Sequence, residues 1–183
     1  MHMPGIWLVA LIAAVALPVA SEELFDPVTG YRLGQYRAPV PEVAPGAVTV
    51  DVEAVARLRA QGGILLDVRP GARLEPLVGG WIAAEPLLTI EGAHWLPEVG
   101  RGRIEDQIEA YLLDTLDRLT GGAPESVLIV FCRVDCWMSW NAAQRIAGHG
   151  YTAVHWFPNG IEAWEAAGLP TATIRPEPIE LAE

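Results

Sequence analysis

The chain of 183 residues has the length of one ordinary domain with a leader, and 51% of its residues are hydrophobic, which is enough to fill a single core. Its formal net charge at pH 7 is −11, so it would repel nucleic acid, and nucleic-acid-binding proteins are excluded as a class. No repeat period or low-complexity tract is visible, which excludes solenoid, collagen-like and disordered proteins.

The N-terminus has the features of a signal peptide. An apolar stretch of fifteen residues, from Ile6 to Ala20, ends in small residues just before two glutamates. This stretch is short for a membrane span but suits the core of a signal peptide. We therefore predict that residues 1–20 are a cleaved leader and that the protein is periplasmic or secreted, with no stable membrane span after cleavage. The alternative is an uncleaved anchor.

The next segment changes from irregular to regular near residue 48. Residues 21–47 are rich in Pro and Gly without a sustained period, which predicts an irregular N-terminal arm. A short strand then begins at Val48, and Asp51 is the predicted N-cap of a helix that ends at Gly62. The run ILLDVRP over 64–70 is apolar without alternation, which is typical of a central parallel strand.

The middle of the chain holds its most regular helix. Residues 71–89 show no hydrophobic periodicity, which predicts an irregular insertion on the surface of the domain. The alternative is that this insertion forms a lid over the site. The stretch IEGAHWLP over 90–97 predicts a short strand with a turn. The helix follows over 104–119, with an apolar face, acidic residues near its start and Arg118 near its end.

A second buried strand precedes the cysteines. The run SVLIVF over 126–131 is again apolar without alternation. A helix is predicted to begin near Ser139 or Asn141 and to end at Gly148.

The remaining elements complete an alternating pattern. Residues 153–157 predict a strand, 160–167 a helix, and 171–183 a largely irregular tail. Because strands and helices alternate, we predict an α/β fold with a mostly parallel central sheet and helices on both faces. Such a sheet binds ligands at the carboxyl ends of its strands.

Both cysteines of the chain stand in FCRVDCWMSW, residues 131–140, at the end of such a strand. A loop between a parallel strand and a helix directs several backbone N–H groups to one point, and these stabilise a thiolate. Cys132 is the first residue of this loop, which favours a nucleophile over an inert core cysteine. Cys136 lies four residues further on, so the pair could form a disulfide or share a soft metal ion.

The cysteine pair leaves several alternatives open. A zinc site would need two more ligands, and His149 and His155 lie beyond the expected helix. Copper(I) accepts two or three soft ligands, so a copper site at Cys132 and Cys136 is the stronger metal alternative. In an oxidising compartment the pair could also be a structural disulfide without chemistry.

The other loop residues have two interpretations each. Arg133 could hold an anion or favour a thiolate, which the carboxylate of Asp135 would oppose; equally, both charges could simply be solvated. Trp137 could form a wall of the site or a packing contact. Ser139 could donate to a bound anion, but a helix cap is the favoured interpretation.

Four stretches, in this order, resemble a rhodanese-like domain: ILLDVRP, IEGAHWLP, VLIVFCR and NAAQRIAGHGYTAVHWFPNGIEAWEAAGLP. The resemblance covers residues 48–170 and implies the rhodanese-like three-layer fold. More narrowly, CRVDCWMSWNAA resembles the exported rhodanese-like proteins associated with catabolism that depends on pyrroloquinoline quinone (PQQ), which are named for a CXXCW motif. Three residues separate the cysteines here, where that motif has two.

The resemblance implies a role for each site residue. Cys132 would carry a persulfide, and Cys136 would resolve a persulfide or mixed disulfide on it. Asp67 and Arg69 would support the strand end and the loop. The amides of 133–138 would bind the substrate anion, within a substrate loop made of Arg133, Val134, Asp135, Trp137, Met138 and Ser139. The basic residue that closes the family's loop is missing, because Cys136, Trp137 and Met138 occupy that region.

The implied activity is thiol, disulfide or persulfide exchange, either as a sulfurtransferase or as a thiol–disulfide oxidoreductase. The expected partner is a small sulfur-containing or thiol substrate, or a periplasmic protein of a PQQ-dependent dehydrogenase system. We predict no resident cofactor. The alternative function is a non-catalytic binding module or a copper(I) chaperone built on the same fold.

Overall fold

The computed structural model describes residues 23–75 and 79–179. The predicted signal peptide at 1–20 lies outside the described residues, as does the end of the predicted tail. Within the described ranges the chain forms four helices and nine strands: β1 (Val48–Thr49), α1 (Val52–Ala60), β2 (Ile64–Asp67), β3 (Ala72–Glu75), β4 (Gly80–Ala83), β5 (Leu87–Ile90), β6 (His94–Trp95), α2 (Asp106–Thr120), β7 (Leu128–Phe131), α3 (Trp137–Gly148), β8 (Val154–Phe157), α4 (Gly160–Ala166) and β9 (Thr171–Ile174). No helix in this part of the chain is both long and apolar enough to cross a bilayer.

The central sheet has the order β1-β8-β7-β2-β6, and every neighbouring pair in it is parallel. Parallel neighbours need crossover connections, and the helices between the strands provide them. The predicted α/β class with a mostly parallel central sheet is therefore confirmed. All five strands end at the same edge, so the loops that follow them meet there.

Alternate residues of the central strands face two separate helical layers. In β7, Leu128 and Val130 pack with α2 and α3, whereas Ile129 and Phe131 pack with α1 and α4. Because both faces of each strand are covered, apolar residues occupy successive positions and no hydrophobic alternation remains. This double burial explains the continuous apolar runs that identified the strands.

Two predicted helix starts have different outcomes. Asp51 caps α1 as predicted, since its Oδ1 accepts a hydrogen bond from the Ala54 amide at 2.8 Å. Helix α3, however, begins at Trp137, ahead of the predicted start. Its first amide donates to the carbonyl of Tyr36 at 2.9 Å, so a distant segment of the chain satisfies the helix terminus. The prediction that Ser139 caps this helix is wrong, because Ser139 lies inside its first turn.

The segments predicted as irregular contain further strands. Residues 171–174 form β9, which pairs antiparallel with β5, so the prediction of a largely irregular tail is wrong for this part. The insertion over 71–89 contains the β3–β4 hairpin and most of β5. The pairing of β5 with β9 joins segments far apart in sequence, which local patterns do not reveal.

The N-terminal arm is fixed across helix α3. Asn141 accepts a hydrogen bond from the Arg32 amide at 2.9 Å and donates to the carbonyls of Arg32 and Gly100 at 2.9 and 3.0 Å. Trp140 donates its indole N–H to the carbonyl of Val43. Within the described part of the arm, turns and isolated β-bridges take the place of regular elements, yet side chains of α3 hold its backbone in position.

Glu177 links the segment after β9 to the rest of the domain through two ion pairs. Removing its charge should lower the stability of the fold measurably. Its carboxylate lies 2.6 Å from Nδ1 of His94 and accepts from Arg118 at 2.5 Å. The hydrogen bond with His94, followed by that with Arg118, holds the pKa of Glu177 below its ordinary 4.5 against the opposing effect of burial. A lowered pKa stabilises the fold above the ordinary value, and this contribution is lost as the pH falls through the folded-state pKa.

We therefore expect Glu177→Gln to lower the free energy of unfolding by about 1 kcal/mol at neutral pH. The difference from wild type should shrink as the pH falls below the ordinary pKa of 4.5, which urea unfolding at neutral and at acidic pH would measure. Glu125→Gln, at an exposed position, is the control and should have no such pH-dependent effect. An equal difference at both pH values would contradict the assigned ion pairs.

Candidate active site

The candidate site lies where the loops after β2, β6 and β7 meet. Strand β7 ends at Phe131, so Cys132 is the first residue beyond the sheet. The carbonyl of Cys132 accepts a hydrogen bond from the amide of Ile161 at 3.1 Å, which ties the loop to the start of α4. The loop then passes through Asp135, whose φ of 52° is left-handed, and enters α3 after Cys136.

Cys132 and Cys136 form a disulfide across this loop. Their Cα atoms are 6.1 Å apart and their sulfur atoms 2.17 Å apart. The residues are only 1% and 4% exposed. Of the alternatives that the spacing left open, the structure therefore shows the disulfide, and Cys132 becomes a nucleophile only when that bond is reduced.

A cavity of about 300 Å³ reaches the disulfide. Its lining contains both cysteines and four arginines, together with Tyr36, Pro70 and Met138. The arginines come from four different segments of the chain: Arg37 from the arm, Arg69 after β2, Arg101 after β6, and Arg133 from the cysteine loop. A buried disulfide thus opens into a small pocket with a cationic lining.

The four arginines differ in their partners. Arg69 is paired with Asp67, and Arg101 with Glu98, whose hydrogen bond raises the pKa of Arg101. The guanidinium groups of Arg37 and Arg133 form no hydrogen bond or ion pair with any residue in 23–75 or 79–179. Two exposed arginines without a carboxylate partner in these ranges therefore line the cavity that reaches the disulfide, in a chain whose net charge is −11.

Asp67 and Arg69, the predicted supporting residues, form a hydrogen-bond network at the end of β2. The Arg69 guanidinium donates to both carboxylate oxygens of Asp67, with a shortest distance of 2.6 Å, and to the carbonyl of Leu88 at 2.7 Å. Thr89 donates its hydroxyl to the same carboxylate at 2.6 Å. Trp95 donates to the carbonyl of Arg69 at 2.7 Å. This network joins β2, β5 and β6 beneath the cavity.

The structure brings only part of the predicted substrate loop to the cavity. Arg133 and Met138 line it with the two cysteines, whereas the other predicted members are not in the lining: Val134, Asp135, Trp137 and Ser139. Ser139 is buried, donates to the carbonyl of Cys136 at 3.1 Å and accepts from the indole of Trp156 at 3.0 Å.

Trp137 takes part in a separate aromatic cluster. Its ring packs against Phe25 and Trp140, with centroids 5.4 and 5.2 Å away. The guanidinium of Arg32 lies 4.9 Å from the centre of the Trp137 ring. Trp137 therefore anchors the arm to α3, which is the packing interpretation of this residue.

The predicted anion cradle of loop amides is incomplete. The amide of Val134 donates to the carboxylate of Glu162 at 3.0 Å, and the amide of Trp137 donates to the carbonyl of Tyr36. These two amides are already satisfied by protein acceptors, so the prediction that all amides of 133–138 bind an anion is wrong for them. The positive charge at the site comes instead from arginine side chains.

The sequence-based prediction did not include four of the lining residues, namely Tyr36, Arg37, Pro70 and Arg101. Arg101 follows β6, whose carboxyl end lies at the same sheet edge as β7, so topology could have indicated it. Tyr36 and Arg37 belong to the arm, which has no periodicity that would connect it to the site. Only the three-dimensional path of the arm reveals them.

Arg145 of α3 holds the loop that carries Arg101. It donates to the carbonyls of Val99 at 2.6 Å, Arg101 at 2.9 Å and Gly102 at 3.2 Å. Its guanidinium lies 4.3 Å from the ring centre of Tyr31. Burial lowers the pKa of Arg145, although the nearby Tyr31 and Glu109 oppose this effect. The residue positions the cavity wall without lining it.

Gly160 allows the closest approach of α4 to the cysteine loop. Its φ is +60°, and an added Cβ would lie 2.5 Å from the carbonyl oxygen of Cys132. Gly168 has a similar φ of +67° but open space around it. We expect Gly160→Ala to lower the free energy of unfolding by about 1–3 kcal/mol more than Gly168→Ala, because only the first adds a clash. Urea unfolding of both variants tests this, and equal losses would contradict the close approach.

No group of three or more His, Cys, Asp or Glu residues in the described part of the chain is arranged to hold a metal ion. The disulfide also occupies both sulfur atoms that a copper(I) ion would use.

The geometry defines an α/β protein with a disulfide-bonded cysteine loop at the carboxyl edge of a parallel sheet. The family model "Rhodanese-like domain" matches residues 51–167, and the chain belongs to the rhodanese-like family. No curated protein matches the sequence.

Several solved structures are similar to the chain in fold. A polysulfide-sulfur transferase homodimer from Wolinella succinogenes is 17% identical, with a TM-score of 0.46, over 69% of this chain and 79% of that one. A human single-domain sulfurtransferase is 24% identical, with a TM-score of 0.43, over 66% of this chain and 96% of that one. The rhodanese-like domain of the Alr3790 protein from Anabaena sp. is 20% identical, with a TM-score of 0.44, over 69% and 79%.

Proposed function

We propose that this protein is an exported rhodanese-like protein that uses Cys132 and Cys136 for thiol, disulfide or persulfide exchange. The observation that carries the proposal is the intraloop disulfide at the floor of a cationic cavity. The first cysteine of the pair stands at the position where a rhodanese-like domain holds its nucleophile. The second lies within bonding distance of it, so each can act on the other without a large rearrangement of the chain.

The chemistry follows from this proximity. In the reduced protein the Cys132 thiolate attacks the outer sulfur of thiosulfate, forms a persulfide and releases sulfite. The Cys136 thiolate then attacks the inner sulfur of the persulfide, which forms the observed disulfide and releases hydrosulfide. Two electrons pass from the cysteine pair to the transferred sulfur. An external thiol must reduce the disulfide before another cycle begins.

The arginine lining supports an anionic donor for this chemistry. A thiosulfate or polysulfide anion enters a cavity whose guanidinium groups offset its charge, and the same groups favour the thiolate form of a reduced cysteine. The missing basic residue at the loop end is thereby replaced by side chains from other segments. This arrangement supports catalysis more than a purely structural disulfide, which would need no cavity.

Export and biological context extend the proposal. The apolar segment before Ser21 supports export to an oxidising compartment, where a closely spaced cysteine pair is stable as a disulfide. The similarity of the CRVDCWMSW run to proteins associated with PQQ-dependent catabolism supports a role beside a periplasmic dehydrogenase system. The protein would then supply or remove sulfur, or maintain thiols, for that system.

The experiment measures the mass and free thiols of protein purified from the periplasm without reductant. We expect no free thiol, two thiols after reduction, and a transient gain of one sulfur atom when thiosulfate or polysulfide is added to the reduced form. If the reduced protein gains no sulfur and catalyses no disulfide exchange, the proposal fails. A stoichiometric copper(I) complex of the reduced protein, without sulfur uptake, would instead indicate the copper-handling alternative.

A further inference from the structure

We infer that Arg37 of the N-terminal arm completes an anion-binding site over the Cys132–Cys136 disulfide, and that the reductant of this disulfide is a small thiol carrying a carboxylate. The inference rests on the proposed function and specifies the substrate that restores the reduced pair. Its other contributors are Arg133 of the cysteine loop and Arg101 of the loop after β6.

The arm places Arg37 at the disulfide through backbone contacts on both sides. The carbonyl of Tyr36 accepts from the amide of Trp137 at 2.9 Å, and the amide of Ala38 donates to the carbonyl of Asp135 at 3.1 Å. Arg37 and Cys136 are consequently partners in an antiparallel bridge. The arm is therefore a structural part of the cysteine loop, and the position of Arg37 depends on backbone hydrogen bonds rather than on its own side chain.

The charge balance of the cavity calls for an anion. The Asp67 carboxylate offsets Arg69, and the Glu98 carboxylate offsets Arg101. Among the described residues, no carboxylate lies within ion-pair distance of Arg37 or Arg133. Glu162, the acidic residue bound to the loop, accepts from the amide of Val134 instead. Two like charges facing one cavity are stabilised when a ligand supplies the opposite charge.

The size of the cavity restricts the ligand to a small molecule. The cysteines are 1% and 4% exposed, and their access is a cavity of about 300 Å³ bounded by the arm. A cysteine of a folded protein would have to enter this cavity to reach the disulfide, because the sulfur-bearing residues are almost fully buried. A thiol of a few carbon atoms with a terminal carboxylate fits the cavity and leaves its anionic group beside the guanidinium groups.

The reduction step balances with two equivalents of thiol. The thiolate sulfur of the first molecule attacks one cysteine sulfur, the disulfide bond breaks, and the other cysteine leaves as a thiolate. A second molecule attacks the resulting mixed disulfide, frees the first cysteine and forms the small-molecule disulfide. The two thiols are oxidised, and the cysteine pair is reduced.

The test compares two thiols of similar size, 3-mercaptopropionate and 2-mercaptoethanol, as reductants of the purified oxidised protein. The measured quantity is the rate at which protein thiols appear, divided by the concentration of thiolate. This rate constant is then divided by the rate constant of the same thiolate with hydroxyethyl disulfide, a neutral reference, to correct for the intrinsic reactivity of each thiol. We expect the normalised rate to favour the anionic thiol by about tenfold at low salt, and to lose most of that preference at high salt.

Variants identify the residue responsible. We expect Arg37→Gln to lower the normalised rate of 3-mercaptopropionate by about fivefold and to change that of 2-mercaptoethanol by less than about twofold. Arg37→Lys should recover most of the preference, because it restores the charge. Arg57→Gln on α1 removes an equal charge from an exposed position outside the cavity lining and should leave both rates unchanged.

Each other outcome overturns the inference in a recognisable way. Equal normalised rates for the two thiols would reject the anion site while leaving disulfide exchange in place. An anion preference that Arg37→Gln does not alter would reject the contribution of the arm. If neither thiol reduces the disulfide in the native protein, the inference fails, whereas sulfur uptake by protein reduced beforehand with a strong dithiol still tests the proposed function separately.

Discussion

Substitution of Cys132 by Ser should abolish sulfur uptake, whereas Cys136→Ser should trap the sulfur on the protein. In the first variant no thiol stands at the end of β7, and we expect uptake from thiosulfate to fall at least about a hundredfold. In the second variant Cys132 remains, yet no neighbouring thiol can displace the outer sulfur. A persulfide should therefore accumulate and remain until an external thiol is added.

The two variants serve as controls for each other. Each removes the same disulfide, which closes a loop of only five residues from 132 to 136, so the accompanying loss of stability should be equal and small. A difference in sulfur uptake between them therefore reports chemistry rather than folding. Intact mass after a brief exposure to thiosulfate, with and without a later thiol chase, measures both uptake and release.

The opposite pattern would reassign the nucleophile. If Cys136→Ser abolished uptake and Cys132→Ser retained it, the acceptor would be the residue at the start of α3. Equal uptake in both variants would mean that either sulfur can accept the donor, and the resolving role of Cys136 would be lost. Either outcome would still be consistent with the cavity, because both residues line it.

The sequence predicts the central fold well because burial on both faces leaves a clear signal. ILLD in β2 and LIVF in β7 are continuous apolar runs that face two helical layers. Such runs, separated by helical periods, define an α/β sheet and place Cys132 at a strand end. The same run places Asp67 at the strand end, since it is the last residue of β2.

The features that the sequence did not predict depend on contacts between segments far apart in the chain. Helix α3 begins at Trp137 because the Tyr36 carbonyl accepts its first amide, and no local residue indicates this. Strand β9 forms by pairing with β5 in a separate two-stranded antiparallel sheet. The cationic cavity likewise combines Arg37 with residues of three other segments. Local propensity therefore placed Cys132 at the end of a buried strand but did not identify the side chains that surround it.

The arm also changes the interpretation of the missing basic residue in the cysteine loop. Considered alone, the loop from Cys132 to Ser139 has one cation, Arg133, and two of its amides are occupied by Glu162 and Tyr36. With the arm and the loop after β6 in place, the cavity contains additional guanidinium groups. Most of the arginines that line the cavity therefore come from neighbouring segments, and only Arg133 comes from the loop itself.

The second large effect is expected at the ion pair beneath the cavity. Asp67 is fully buried and Arg69 is 5% exposed, so neither charge is solvated. Asp67→Ala leaves the Arg69 guanidinium without its carboxylate, and leaves the Thr89 hydroxyl without its acceptor. We expect the free energy of unfolding to fall by about 3–5 kcal/mol, which urea unfolding measures.

Two comparisons separate this ion pair from ordinary surface charges. Glu91→Gln disrupts the more exposed pair with Arg59 and should cost no more than about 1 kcal/mol. The double variant Asp67→Leu, Arg69→Met removes both buried charges together and should recover much of the loss, because no unpaired charge remains. If the double variant is as unstable as Asp67→Ala, then the shape of this network, rather than its charge pairing, holds the strand end. The recovered variant would further show whether the cavity needs the Arg69 guanidinium, since its disulfide could then be assayed in a stable fold.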